Sequence, residues 1–318
     1  MSIQISNITL DPRPKLMVSQ GFADHELIDS GHGHKYERYG PYHIIRPDPQ
    51  CFWKPRNEEK WLEADARFDP DGDDDEGRWR YNKPVPEMWE MGYGKVKFHG
   101  RLTAFRHLAF FPEQEANWAW QSETIEKAIE LNSEFHLLNL FAYTGLASLV
   151  AAQAGARVTH VDSSKKAIGW ARENAALSGL EEAPIRWICE DVRKYIQREK
   201  KRGVFYDGII LDPPKYGRGP DGQVWRLFED LGTLLDDLVG LLSPKASFLL
   251  LNAYAARVSG PALAHSLHQA MITGAPMLHG EIDFGELTLR ESPTSDHTQT
   301  CREIGLSFFA RFKAEHLL

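Results

Sequence analysis

Cysteine is scarce: Cys51, Cys189 and Cys301 are the only three in 318 residues. Their scatter offers neither a disulfide framework nor paired zinc-ligand spacing, which points to a reducing cytoplasm and no structural metal. No apolar run approaches the ~20 residues of a bilayer-crossing helix, so no membrane span is expected. The opening MSIQISNITL lacks the cationic-then-apolar layout of a secretory signal. Internal repeats and low-complexity linkers are missing as well. A G-x-G-x-x-G turn, which an NAD-binding sheet requires, is also absent; the corresponding stretch reads FAYTGLASL.

No strongly basic body advertises nucleic acid either. The net charge is −8, from 45 acidic against 37 basic residues. Residues 63–76, EADARFDPDGDDDE, carry eight of the acids and one arginine, and without them the remainder is near −1. The acidity is therefore mostly one loop. That loop lacks the spacing of a calcium site, with glycine sixth and a closing glutamate, and reads as a solvated turn. His32 and His34 supply half a metal site at most, in glycine-rich surroundings that favour a loop.

Two compositions meet near residue 110. Residues 1–110 alternate Tyr, Trp and β-branched runs with turn residues, the pattern of a small β-rich domain. WLEADARF and GRWRYN form an expected hairpin with the acidic tip between them. Residues 111–318 alternate helix and strand patterns. WQSETIEKAIEL, GLASLVAAQAG, SKKAIGWARENAALSGL, VRKYIQREKK and the long GQVWRLFEDLGTLLDDLVGLL read as helices. HLLNLF, RVTHVD, IRWICE, YDGIILD and ASFLLLN read as buried strands between or after them. The series predicts an α/β fold, a doubly wound parallel sheet with helices on both faces. MLHGEIDFGELTLR and EIGLSFFARF add a final β pair and an antiparallel edge strand.

Open α/β sheets bind ligands beyond the carboxyl ends of their strands. The first strand ends in Asn139-Leu140-Phe141-Ala142-Tyr143-Thr144-Gly145, where a glycine turn lets backbone N–H groups approach a ligand. The second ends in Asp162-Ser163. A carboxylate here accepts ribose hydroxyls, or else caps the following helix. After the third, Glu190-Asp191 offers a carboxylate to an adenine amine, with capping again the alternative. The fourth ends in Asp212-Pro213-Pro214-Lys215-Tyr216, where two prolines supply carbonyls without N–H groups and a rigid floor for an amine.

These residues carry a resemblance. NLFAYTG (139–145), VDSSKKAIGWARENAALSG (161–179), CEDV (189–192) and LDPPKYGRG (211–219) resemble the class I S-adenosylmethionine-dependent methyltransferases that modify bacterial large-subunit ribosomal RNA. FPEQEANW (111–118) is similar to the segment preceding their catalytic domain. The resemblance implies a seven-stranded Rossmann-like methyltransferase sheet, S-adenosylmethionine as cofactor, and the β-rich part as a substrate-recognition domain. It places Phe141, Tyr143, Thr144 and Gly145 around the methionine part of the cofactor. Asp162 then takes the ribose, and Asp191 and Val192 the adenine edge. Asn174 supports the cofactor loop, Gln114 is a further contact, and Asp212 through Tyr216 shape the floor under the methyl acceptor.

Methylation at carbon five of cytosine requires a cysteine thiolate beside the cofactor. The ends of strands four and five read LDPPKYG and LLLNAYAARVS, without one. A nitrogen acceptor, exocyclic or in the ring, is expected instead. Lys215 stands where amino methyltransferases carry an aromatic residue, and Tyr216 follows it. Lys215, Arg218 and the basic stretch of Arg193, Lys194, Arg198, Lys200, Lys201 and Arg202 are candidate phosphate contacts, or an ordinary solvated face. The expected partner is ribosomal RNA. A protein side chain or small metabolite is the rival acceptor, a non-catalytic binding module a third reading, and SPTSDHTQT (292–300) a candidate cover for the site.

Overall fold

The computed structural model describes residues 7–72, 76–132, 134–254, 258–293 and 301–318. The tip of the acidic hairpin and most of the segment considered as a cover, 294–300, lie outside them. The chain divides into two compact units: Met1–Met17 with Asn117–Glu286 and Ser307–Leu318, and Val18–Ala116 with Leu287–Leu306. This is not one cut after residue 110, because both ends of the chain change units.

The larger unit holds β1 (Ile8–Leu10) and the start of β2 (Lys15–Ser19). For the β-rich unit we label β3 (His25–Gly31), β4 (His34–Tyr39), β5 (Tyr42–Pro47), β6 (Ala66–Pro70), β7 (Gly77–Tyr81), β8 (Met88–Tyr93) and β9 (Val96–Arg101). The alternating series follows: α1 (Glu115–Asn132), β10 (His136–Leu140), α2 (Leu146–Gln153), β11 (Arg157–Asp162), α3 (Lys165–Leu177), β12 (Ile185–Cys189), α4 (Val192–Arg202) and β13 (Gly208–Leu211). It closes with β14 (Tyr216–Arg218), β15 (Val224–Arg226), α5 (Leu227–Val239), β16 (Phe248–Ala253), α6 (Gly260–Gly274), β17 (Gly280–Arg290) and β18 (Glu303–Ala314).

The main sheet runs β1-β17-β18-β16-β13-β10-β11-β12, with β2 also on β17. The expected seven strands are there, and β1 and β2 make nine by covering the edge that β17 would expose. β10, β11, β12, β13 and β16 are mutually parallel. The antiparallel strand β18 lies inside the order, against β16, rather than at the edge. Leu138, Leu140, Ile209, Leu211, Leu249 and Leu251 feed the core on one face, and Leu137, Ile210 and Leu250 that on the other. Apolar residues at both parities are what a doubly covered parallel sheet demands. Strand order reverses at β10, between β11 and β13, so the turns after these strands converge at a switch point.

Two helices differ from the sequence reading. Residues 222–242 do not form one helix: Val224–Arg226 is a strand paired with Tyr216–Arg218, and α5 starts at Leu227. The Gly-Pro-Asp-Gly turn, with Gly222 at φ 85°, makes the hairpin. α6 was not anticipated, although Ser259 caps it and Leu263, Leu267, Ala270 and Met271 bury one face.

In the β-rich unit β3 to β7 pair in sequence order, antiparallel except β5 with β6. β6 and β7 are the anticipated hairpin. Glu37, fully buried, accepts two hydrogen bonds of 2.8 Å from Arg46, which hold its carboxyl well below the usual range against its burial. His34 uses both ring nitrogens, toward the His32 carbonyl at 2.8 Å and Arg67 at 3.0 Å, and so has no lone pair for a metal. Among the described residues no three His, Cys, Asp or Glu side chains gather as metal ligands, and no helix is long and apolar enough to cross a membrane.

A second buried cluster ties Leu287–Leu306 into this unit. Asp29 and Glu291, 4% and 1% exposed, share Arg302, which donates to Asp29 at 2.5 Å and to Glu291 at 2.8 and 2.9 Å. Arg56 stands 3.4 Å from Glu291. Removing one partner leaves two buried carboxylates undercompensated. Arg302→Met is expected to destabilise the protein by about 3–5 kcal/mol in denaturant unfolding; a loss below about 1 kcal/mol, the range of an exposed pair, would show the cluster is not held by charge.

Candidate functional site

The turn after β10 is built from left-handed backbone: Phe141 at φ 55°, Tyr143 at φ 49° and Gly145 at φ 88°. Two are not glycine, so the turn carries a cost of about 1–3 kcal/mol at each of those positions. What holds it is visible. Asp162, at the end of β11, accepts the Tyr143 N–H at 2.8 Å through one oxygen and the Ser164 N–H at 2.8 Å through the other. Asn174 of α3 donates to the Thr144 carbonyl at 3.0 Å. Gly145 is required by contact as well as by φ, since a Cβ there would lie 2.9 Å from that of Ala171.

Below the turn, Asn139 donates to Ser148 at 2.9 Å and Ser148 meets His160 Nδ1 at 3.0 Å, all three buried. Asn139 therefore faces α2 and not the strand-end cleft. His160 Nε2 has no partner among the described residues, and burial pushes the imidazole down to about 3. The ring is a neutral strut.

The carboxylates after β11 and β12 are placed differently. Asp162 is half-buried, burial pushes its carboxyl up, and the two N–H groups oppose that rise. Each oxygen keeps a second lone pair, so a ribose hydroxyl remains compatible. Ser163 donates to the Arg218 carbonyl at 3.3 Å. Asp191 is the N-cap of α4, accepting from Arg193 N at 3.0 Å and Lys194 N at 3.2 Å, and it pairs with the Arg193 guanidinium at 3.2 Å. Val192 beside it is buried. Gln114 closes a short turn in the β-rich unit, its N–H donating to the Phe111 carbonyl at 3.1 Å.

The turn after β13 is pinned from two sides. Asp212 accepts the Asn252 amide N–H at 3.0 Å, and Asn252 accepts from Ser307 at 3.2 Å. Pro213 is buried, Pro214 exposed, and the Pro214 carbonyl accepts the Trp225 indole N–H at 2.7 Å. Trp225 also packs on Phe141 with ring centroids 5.1 Å apart, so one side chain links the turns after β10 and β13. Lys215, Tyr216 and Arg218 are exposed beyond it, on β14 and its approach.

Trp225, Asn252, Ser307, Ser148 and His160 were not identified as site residues from sequence. Only Trp225 left a usable signal, since V-W-R following P-D-G reads as a hairpin strand. The basic stretch on α4 is mostly neutralised: Arg193 pairs with Asp191 and Asp230, Lys194 with Asp221, Arg198 with Glu190, Lys200 with Asp237 and Arg202 with Glu199. Lys215 and Arg218 carry no ion pair among the described residues.

These groups fit a ligand with a carboxylate at one end and ribose hydroxyls further on. α3, α4 and α6 are capped by Ser164, Asp191 and Ser259, whereas α2 starts at Gly145, as α5 does at Arg226, without a side-chain cap. Such an end, with its N–H groups and dipole, suits an anion.

Known proteins give the same direction. A family profile described as S-adenosylmethionine-dependent methyltransferase matches residues 56–280. The chain is similar to the crystal structure of the SAM-dependent methyltransferase from Agrobacterium tumefaciens, with TM-score 0.90 and 45% identity over 97% of this chain and 96% of that one. It is 38% identical over 119 residues to "Ribosomal RNA large subunit methyltransferase K/L" of Shewanella frigidimarina, spanning 37% of this chain and 16% of that protein. Over 97 residues it is 36% identical to "Ribosomal RNA large subunit methyltransferase I" of Aeromonas salmonicida, 30% of this chain and 24% of that protein. The aligned stretch thus covers under a quarter of these two curated relatives.

The buried His160 sets a pH dependence. Between the ordinary value of 6.5 and about 3 the unfolded chain binds a proton there and the folded chain does not. Stability that is complete above 6.5 is therefore lost as pH falls toward 3. Between about pH 7.5 and 4.5, His160→Leu is expected to lose about 2–3 kcal/mol less than the native protein in denaturant unfolding. Equal losses would mean that water or a rearrangement solvates the ring.

Proposed function

The chain belongs to the S-adenosylmethionine-dependent methyltransferase family, and from that premise we propose that it methylates a base nitrogen in ribosomal RNA. The observation that carries the RNA part is the arrangement of cations. Five of the six on α4, all but Lys201, are engaged in internal ion pairs, whereas Lys215 and Arg218 stand without an ion pair among the described residues beside the exposed Tyr216. Two phosphate-binding cations around a stacking ring at the acceptor floor are suited to a nucleotide. The printed names of the curated relatives support the same substrate class.

S-adenosylmethionine, when bound, supplies an electrophilic methyl group. Phe141, Tyr143, Thr144 and Gly145, at the uncapped start of α2, would hold its amino-acid end, and Asp162 with Ser163 its ribose. Val192 and the Asp191 turn would line the adenine edge. Asn139 and Asn174 act beneath the turn, and Gln114 is kept as a contact on the likeness of FPEQEANW alone. At the acceptor, the Asp212 carboxylate takes the N–H of the incoming nitrogen, aims its lone pair and receives the proton. Pro213 and Pro214 keep the floor rigid, Tyr216 stacks on the base and Lys215 meets a carbonyl oxygen or phosphate. The β-rich unit recognises the RNA, and the cytoplasm is where this substrate is met.

Carbon-five chemistry would need a thiolate beside the cofactor, and the ends of β13 and β16 carry no cysteine. Asn252 and Ala253 end β16, and the Cys51 thiol is buried in the β-rich unit and pushed up to about 12. Cys189 is exposed, its Sγ 3.7 Å from the Ser163 carbonyl at the adenine side.

Labelled methyl transfer decides the substrate, with ribosomal RNA, free large subunits and total protein from cells lacking the enzyme as acceptors. Label in RNA is expected; label confined to protein or small molecules would move the reading to those acceptors. Asp162→Ala is expected to weaken cofactor binding by about 1–3 kcal/mol in calorimetry, the scale of a lost buried hydrogen bond, and native affinity would remove Asp162 from the cofactor site. Cys189→Ser is expected to keep turnover near the native rate. A covalent RNA adduct that disappears in that variant would overturn the nitrogen acceptor.

A further inference from the structure

The turn after β13 is held by residues that no part of the acceptor motif supplies. β16 lies beside β13, with Leu251 opposite Leu211, so Asn252 and Asp212 are the next residues on neighbouring parallel strands. β18 lies on the other side of β16. Ser307, Asn252 and Asp212 thus form a row across three adjacent strands, joined by hydrogen bonds of 3.2 and 3.0 Å. Asn252 is 2% exposed and Ser307 3%.

The row has a direction. An ionised carboxylate only accepts, so the Asn252 amide must turn its N–H toward Asp212. Its carbonyl then faces Ser307, which must donate. Reversing either link would set two acceptors against each other in a buried place. The hydroxyl fixes the amide, and the amide fixes one carboxylate oxygen while favouring the charged form.

We propose that Asn252 is a positioning residue for methyl transfer, acting through Asp212, and that Ser307 sets the orientation of Asn252. The proposal rests on the reading of Asp212 as the group that orients the acceptor nitrogen. A leucine at 252 would remove the N–H that aims this carboxylate oxygen and favours its charged form. Ser307→Ala would release the amide with a smaller effect.

The test has one readout that needs no substrate. Aspartate side chains are labelled with carbon-13, the Asp212 signal is identified by its loss in Asp212→Asn, and its titration is followed in the native protein, Asn252→Leu and Ser307→Ala. Asp212 is expected to titrate at higher pH in both variants, further in Asn252→Leu. With ribosomal RNA as probe, kcat at neutral pH should fall about 10- to 100-fold in Asn252→Leu, as for a lost charged hydrogen bond that aims the carboxylate. KM and cofactor affinity should stay near native. Thermal unfolding identifies a variant that fails to fold, in which case Ser307→Ala decides. An unchanged titration in a folded variant overturns the proposal whatever the RNA assay gives. A shifted titration with no label in RNA from the native protein sustains it and overturns the RNA substrate alone.

Discussion

The Asp162 carboxylate is the constraint around which this site is assembled. It comes at the end of β11, receives the Tyr143 N–H from the turn after β10 and the Ser164 N–H at the entry to α3. Without an acceptor there, Phe141 and Tyr143 would have little reason to hold left-handed backbone, which each costs about 1–3 kcal/mol. Hydrogen bonds to a charged, partly desolvated acceptor contribute about 1.5–3 kcal/mol each, enough to offset much of that cost. The bend in turn brings Gly145 to the start of α2 and sets Phe141 against Trp225. One carboxylate thus shapes the turn after β10, and through Trp225 the consequence reaches the turn after β13.

Asp162 and Asp191 show how position decides the use of a carboxylate. Both follow a parallel strand and precede a helix. α3 has Ser164 as its cap, which leaves Asp162 available to the neighbouring turn. α4 has no such serine, so Asp191 itself accepts the first N–H groups and is paired with Arg193. An adenine contact of the kind proposed at the third strand end would have to share a carboxylate already committed to the helix.

The sheet was legible because its signal is dense. Apolar residues at both parities in HLLNLF and GIIL, alternating with capped helices, admit few other folds. The three turns that carry FAYTG, Asp162 and DPPK were legible for the same reason: each falls at a strand end, where topology gives it a meaning. What the chain order hid was lateral. Ser307 lies far along the sequence from Asn252 and Asp212, and only the insertion of β18 beside β16 makes them a row. Trp225 was hidden by its surroundings, since VWRLFEDL has helical spacing and only the preceding Pro-Asp-Gly turn breaks it. The first residues of the chain were assigned to the β-rich part because short β runs look alike, whichever sheet they join.

Charge also reads differently once partners are known. A body near neutrality outside one acidic loop gives no hint of an RNA partner. The structure resolves that average into pairs: Lys194 with Asp221, Lys200 with Asp237 and Arg198 with Glu190 remove most of the apparent basic face of α4. These exposed pairs add little stability, but they cancel the long-range field that would attract phosphate indiscriminately. With that field suppressed, the unpaired cations at Lys215 and Arg218 act only over about a Debye length, roughly 8–10 Å. An RNA bound as proposed would therefore meet attraction from Lys215 and Arg218 only close to the turn after β13, and its recognition there would depend on shape and stacking as well as on charge.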